Sequence, residues 1–125
     1  MDATALLVRV LSADPSISVP VFGESIPANQ AAPLVLVRTV MRRPATRPMT
    51  TWWTHINTID VQAENPADSH DLSLAVEAVI PTLAGTHLEG VVSDATVDDT
   101  TFIEDGSWTP TRYRNVVAVS LTARD

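Results

Sequence analysis

Three histidines are the side chains of this 125-residue chain best suited to acid–base or metal chemistry, because histidine titrates near neutral pH and is a common metal ligand. They are His55, His70 and His87. No two of them stand at a spacing that is typical of a metal site. We therefore interpret them as surface or partly packed residues.

The consecutive residues Ser69, His70 and Asp71 have the residue types of a hydrolytic triad. Consecutive positions on a helix point in different directions around its axis, so these side chains cannot meet. The chain has no cysteine and only four glycines, and it contains no phosphate-binding loop, nucleophile elbow or zinc motif. The sequence predicts no catalytic residue, no metal ligand and no cofactor.

A group of carboxylates lies near the end of the chain and consists of Asp94, Asp98, Asp99, Glu104 and Asp105. These residues lack the alternating spacing and central glycine of a calcium-binding loop. A solvated acidic loop is the simpler interpretation. A small metal-dependent enzyme remains an alternative, which metal analysis of the purified protein would test.

All eight basic residues are arginines, and four are grouped as Arg38, Arg42, Arg43 and Arg47. Solvated strand ends would give the same pattern and contribute little to stability. In a chain of net charge −7, however, separate positive and negative groups also have the asymmetry of a head-to-tail contact, which closes into rings. We predict that these arginines and the acidic residues at positions 98–105 form a subunit or partner interface.

Two tryptophans are added to this predicted interface. Trp52 and Trp53 are neighbours, and neighbouring side chains of a strand point to opposite faces, so one of them is a candidate for exposure. Trp108 follows the acidic group. Core packing is the alternative for both sites, but tryptophan and arginine are enriched where proteins meet, so we assign Trp52 and Trp108 to the interface.

Periodicity and proline positions divide the first part of the chain into elements. Residues 4–13 have apolar side chains at one-turn spacing and predict a helix that Asp2 caps. Residues 18–22 predict at best a short edge strand, and residues 34–43 predict a strong strand. The proline-rich residues 44–50 predict a stiff connection that is suited to touching a neighbour.

The middle of the chain predicts a second long strand over residues 51–63. Its second half alternates, which places Asp60 and Gln62 on a wet face. A break in the alternation predicts a bulge near Asn57 and Thr58.

A second helix follows, with Asn65 as its cap and Pro66 at its first position. Apolar residues at three- and four-residue steps define one face, and Ser69 and Ser73 are expected on the opposite, polar face. Pro81 should shorten or kink the last turn.

The last part predicts a strand over residues 88–97, a loop over residues 98–111 and a final strand over residues 112–123. Runs of strands interrupted by one helix favour a single α+β domain over residues 1–125. We predict a two-layer sandwich in which two helices pack on one face of an antiparallel or mixed sheet of four to five strands.

Net charge and hydropathy exclude further classes of protein. A charge of −7 opposes the phosphate neutralisation by which proteins hold nucleic acid. No run of about 18 apolar residues predicts a membrane span, and the first ten residues lack the basic region of a secretion signal. We expect the protein to be assembled in the cytoplasm.

Three segments together carry a resemblance to a known family. They are PLVLVRTVMRR (residues 33–43), IDVQAENPADSHDLSLAVEAVIPTL (residues 59–83) and RYRNVVAVSLTARD (residues 112–125). The chain resembles the tail terminator proteins, also called tail completion or minor tail proteins, of long-tailed phages that infect actinobacteria. A proline-rich stretch replaces the glycine pair that often follows the arginine strand in that family.

The resemblance implies a homo-hexameric ring at the neck end of the virion tail. Such a ring caps the tail tube protein, ends tail polymerisation and offers a surface to head-completion or connector proteins, while DNA passes through its lumen without specific binding. No membrane is involved. Another neck protein, such as a head-closure or connector component, is the alternative.

Overall fold

The computed structural model describes residues 1–45, 52–88 and 90–125. Arg47, one of the predicted interface residues, lies outside the described residues. The elements in chain order are α1 (Ala3–Ala13), β1 (Val21–Gly23), β2 (Leu34–Pro44), β3 (Trp53–Ala63), α2 (Pro66–Val79), a 3₁₀ turn (Ile80–Leu83), β4 (Val91–Asp105) and β5 (Arg112–Arg124).

Side-chain caps start both helices where the sequence predicts them. The Asp2 carboxylate accepts the N–H of Ala5 at 3.0 Å, and the Asn65 side-chain oxygen accepts the N–H of Asp68 at 2.8 Å. Both bonds satisfy a backbone donor that has no partner within the helix. Pro81 ends α2 by converting its continuation into the 3₁₀ turn.

The five strands form one sheet in the order β1-β2-β3-β5-β4. β1 runs parallel to β2, and the other neighbours are antiparallel, so the sheet is mixed. β1 is the weak edge strand of the sequence analysis and pairs with β2 over only three residues. The predicted α+β class and the number of strands are confirmed.

Both helices pack on one side of the sheet, here called the helix face. Leu6 and Leu11 of α1 and Val76 of α2 are fully buried there. They pack with sheet side chains that recur at every second position, namely Val35, Val37, Ile59, Val61, Val117, Val119 and Leu121. Within the described residues the other side of the sheet, here called the open face, carries no helix.

Cross-strand pairing assigns the remaining side chains to a face, because residues paired across antiparallel strands point to the same side. Val37, Ile59 and Val117 form one such row on the helix face. Since side chains alternate along a strand, the even-numbered positions of β3 and β5 belong to the open face.

β4 is longer than the sequence predicts, and the predicted loop over residues 98–111 is wrong. The strand continues to Asp105, and only residues 106–111 connect it to β5. Register irregularities between Val92 and Asp94 and between Val97 and Asp99 interrupt the period of two. β4 is also an edge strand that is exposed along most of its second half, so it has no apolar alternation to reveal it.

The predicted bulge in β3 is also wrong, because the irregularity lies in the strand opposite. β3 pairs with β5 without interruption, whereas β2 has an extra residue, Val40, between Thr39 and Met41. Ile56 is on the open face and Ile59 on the helix face, so both are accommodated by a regular strand.

Ser69 and Ser73 are buried against the sheet and do not lie on the polar face of α2 as predicted. The Asn115 side-chain N–H donates to Ser69 Oγ at 2.8 Å, and Ser73 Oγ donates to the His70 carbonyl at 2.7 Å. Small hydroxyl side chains satisfied in this way let the helix approach the strands closely. The apolar Leu74 is left 49% exposed.

Replacing Asn65 tests how much the N-cap of α2 contributes to stability. We expect Asn65→Ala to lower the free energy of unfolding by about 1 kcal/mol, because the Asp68 N–H loses its acceptor. Urea denaturation followed by circular dichroism measures the change. Asn65→Ser keeps a side-chain acceptor for this N–H without placing a second carboxylate beside Asp68, so it should lose less stability than Asn65→Ala; equal losses for both variants would contradict the assignment.

Candidate interaction surfaces

The outer edge of β2 is uncovered beyond Val37 in the part of the chain that the structure describes. β1 pairs with β2 only as far as Val37, and residues 38–44, here called the arginine edge, are all exposed. Arg38 and Arg43 pair with open-face residues of β3, whereas Arg42 pairs with His55 on the helix face. Three of the four predicted arginines therefore lie on one free strand edge.

The opposite edge of the sheet is formed by β4. Its residues 94–99, here called the acidic edge, carry the exposed carboxylates Asp94, Asp98 and Asp99. Asp94 pairs across with Thr122, and Asp99 pairs with Ala118, so both belong to the open face. The acidic and arginine edges thus bound the same sheet on opposite sides.

The other two predicted acidic residues lie at the far end of β4. Glu104 is exposed. Asp105 accepts hydrogen bonds from the Ser107 hydroxyl and N–H and from Arg114, which together hold the pKa of Asp105 below its usual value. Asp105 therefore has partners within its own chain, and the predicted acidic group is divided into two.

Each tryptophan stacks with an arginine. The guanidinium carbon lies 4.2 Å from the ring centre for Arg42 over Trp53, 3.6 Å for Arg112 over Trp108 and 5.3 Å for Arg124 over Trp52. Trp108 is 40% exposed in the β4–β5 hairpin. Trp52 lies just before β3, at the other end of the sheet. The two predicted interface tryptophans are therefore not brought together.

A buried polar cluster on the open face was missed by the sequence analysis. Asp60 and Gln62, predicted on a wet face, are 8% and 4% exposed. Arg114 Nη2 donates to Asp60 Oδ2 at 2.6 Å, and Arg112 Nη1 donates to Gln62 Oε1 at 2.9 Å. The Asp60 bonds and charge raise the pKa of Arg114. The sequence did contain a signal for this cluster. Asp60 and Gln62 are two residues apart, as are Arg112 and Arg114, so each pair lies on one face of its strand.

Two loops cover this cluster. Arg112 also donates to the Gln30 carbonyl oxygen, which fastens residues 29–32 over the end of the open face. Trp108 covers the same guanidinium from the hairpin side. A cavity of about 280 Å³ remains between these two loops and Glu64. The cluster therefore anchors the β4–β5 hairpin to β3 and to the loop of residues 29–32, which precedes β2.

The three histidines are separated in the fold. His55 is buried in β3, whereas His70 and His87 are exposed on α2 and in the turn before β4. Over residues 1–45, 52–88 and 90–125, no three histidine or carboxylate side chains are arranged to hold a metal ion. No helix among the described residues is long and apolar enough to cross a membrane.

Comparison with known proteins finds similarity among solved structures. No protein-family model matches the chain, and no curated protein matches it. Among solved structures, a chain in the structure titled "Virion of native gene transfer agent (GTA) particle" has a TM-score of 0.66 and 14% sequence identity. The match covers 98% of this chain and 99% of that chain. The whole domain therefore shares its fold with a chain of that particle.

Breaking the Arg114–Asp60 pair should destabilise the fold. We expect Asp60→Leu or Arg114→Met alone to lower the free energy of unfolding by roughly 2–3 kcal/mol, because each leaves a partly buried charge without this partner. The double variant should recover most of the loss. A urea double-mutant cycle measures the coupling, and additive losses would show that the pair is not coupled.

His55 should make the fold sensitive to acid. Burial, followed by the charges of Arg42 and the N-terminus, lowers the pKa of His55, so the unfolded state binds a proton more readily than the folded state. The free energy of unfolding is therefore unaffected by His55 above about pH 6.5 and decreases as the pH falls below that value. Urea midpoints at pH 7.5 and 5.0 should differ less in His55→Gln than in the original chain. His70→Gln, at an exposed histidine, should keep the original difference.

Proposed function

We propose that this chain is a structural protein of a virion and that it acts as the tail terminator, a hexameric ring that caps the tail tube. In this role it ends the addition of tail tube protein and provides the surface to which head-completion or connector proteins bind. The observation that carries the proposal is the likeness, over 98% of this chain, to a chain in a gene transfer agent virion.

The sequence supports the finer part of the proposal independently. Its arginine-ended strand β2, the strand and helix from Ile59 onward and the final strand from Arg112 resemble those of phage tail terminators. The structure adds that these segments form one continuous sheet with a helix layer on a single side. Among the described residues, β4 and the part of β2 beyond Val37 are left open to neighbours.

The charge distribution suits a ring through which DNA moves. Each chain carries a net charge of −7, and a lumen of the same sign as the phosphates repels DNA and lowers its tendency to bind. The arginines that lie on the arginine edge are gathered away from the acidic edge. Opposite charges on opposite edges favour a heterologous contact between copies, and a closed heterologous contact generates a ring.

Loss of the gene is the experiment that distinguishes a terminator from another neck protein. We expect particles without this chain to carry abnormally long tails, because tube polymerisation then has no stop. Electron microscopy of the particles measures tail length. Tails of normal length that fail to join heads would assign the chain to a head-closure or connector role.

Purified protein gives a second test of the same function. We expect the chain to form rings of six copies of 13.5 kDa, about 80 kDa in total, alone or on isolated tail tubes. Light scattering measures the mass, and electron microscopy shows the tube ends. A monomer that never binds tube ends would overturn the proposal.

A further inference from the structure

The register of the sheet aligns a charge on one edge with an opposite charge on the other. Arg38 of β2 is paired with Thr58, Thr58 with Ala118, and Ala118 with Asp99 of β4. Paired residues share a face, so all four side chains lie on the open face. This first row begins with an arginine and ends with an aspartate.

A second row has the same arrangement. Arg43 is paired with Thr54, Thr54 with Thr122, and Thr122 with Asp94. It also lies on the open face and also runs from an arginine on β2 to an aspartate on β4. The two rows are separated by the stretch of β3 from residue 54 to residue 58, roughly 13 Å of strand.

The two edges have matching lengths between these rows. β2 contains an extra residue, Val40, and β4 contains an extra residue, Asp98, relative to the inner strands. Both edges therefore use one bulge to cover the same distance. When one edge is placed beside the other, both arginines can meet both aspartates.

Strand direction also permits this placement. The strands β2, β3, β5 and β4 are antiparallel in sequence, so β4 runs opposite to β2. A rotation axis roughly along the strands keeps their directions, and β4 of one copy then lies antiparallel to β2 of the next. Antiparallel neighbours are the arrangement already present in this part of the sheet.

We propose that copies of this chain associate head to tail by placing the arginine edge of one copy against the acidic edge of the next. Arg38 donates from Nε to the Glu24 carbonyl oxygen of its own chain at 3.2 Å and faces Asp99 of the neighbouring copy with its terminal nitrogens. Arg43 faces Asp94 of the neighbouring copy. The inference rests on the proposed ring and assigns its subunit contact to named residues. The β4 residues 100–102 are level with the part of β2 that β1 covers, and Glu104 and Asp105 lie beyond them, outside this contact.

The aspartates are oriented for this contact by their own backbone. Asp94 Oδ1 accepts the N–H of Ala95 at 3.0 Å, and Asp99 Oδ1 accepts the N–H of Thr100 at 2.8 Å. A carboxylate has four acceptor positions, so each can also accept an arginine. Exposed acidic side chains and bulges make β4 a poor template for an uncharged strand. The arginine edge of a second copy, in contrast, carries charges opposite to those of β4.

Paired charge reversals test the contact. One variant carries Arg38→Asp and Arg43→Asp, and the other carries Asp94→Arg and Asp99→Arg. Each variant alone places like charges at every contact, so we expect assembly on tail tubes, or in solution, to fall at least tenfold. An equimolar mixture restores opposite charges at every contact of an alternating ring and should recover assembly. Light scattering and electron microscopy measure both results.

Controls separate this contact from the proposed function. Glu104→Arg makes a charge reversal at the far end of β4 and should leave assembly intact. Circular dichroism confirms that the variants fold. Reversed variants that assemble alone, or folded variants whose mixture does not assemble, would overturn the contact while leaving the ring in place. Wild-type protein that neither forms rings nor caps tubes would overturn the proposed function itself.

Discussion

A single guanidinium, that of Arg114, bonds to carboxylates on both strands that flank its own. It holds Asp60 of β3 and Asp105 of β4, so three adjacent strands are tied at one point. A shift of one residue in the pairing of β5 would turn Arg114 to the helix face and break both ion pairs. The alignment of Arg38 with Asp99 across the sheet depends on this same register.

The two faces of the sheet have different roles in folding and association. Apolar side chains of both helices and of every second strand position are buried on the helix face, and this burial supplies the main driving force for folding. The open face is held at one end by hydrogen-bonded polar groups and is otherwise only partly covered. Charges that would be costly on the helix face are thus left to the open face and the edges.

Local signals in the sequence predicted much of the fold. The caps Asp2 and Asn65 and the shortening of α2 at Pro81 depend on neighbouring residues, and the structure has all three. The errors involve distant partners. Asp60 looks solvated until Arg114 is beside it, and Ser69 looks like a surface residue until Asn115 is beneath it. The second half of β4 has no apolar alternation because, among the described residues, it lies at the edge of the sheet and is exposed at nearly every position.

The candidate surface was predictable in composition but not in arrangement. Residue types alone indicated a positive and a negative group, and the structure places most of each on a strand edge. That Asp105 is bonded to Arg114 within its own chain could not be read from spacing, because it depends on how the hairpin folds back. The stacked tryptophans also give the molecule a built-in optical probe at each end. Trp53 under Arg42 borders the arginine edge, whereas Trp108 under Arg112 lies in the hairpin, so a variant that keeps one of the three tryptophans reports by fluorescence from one chosen end without an added label.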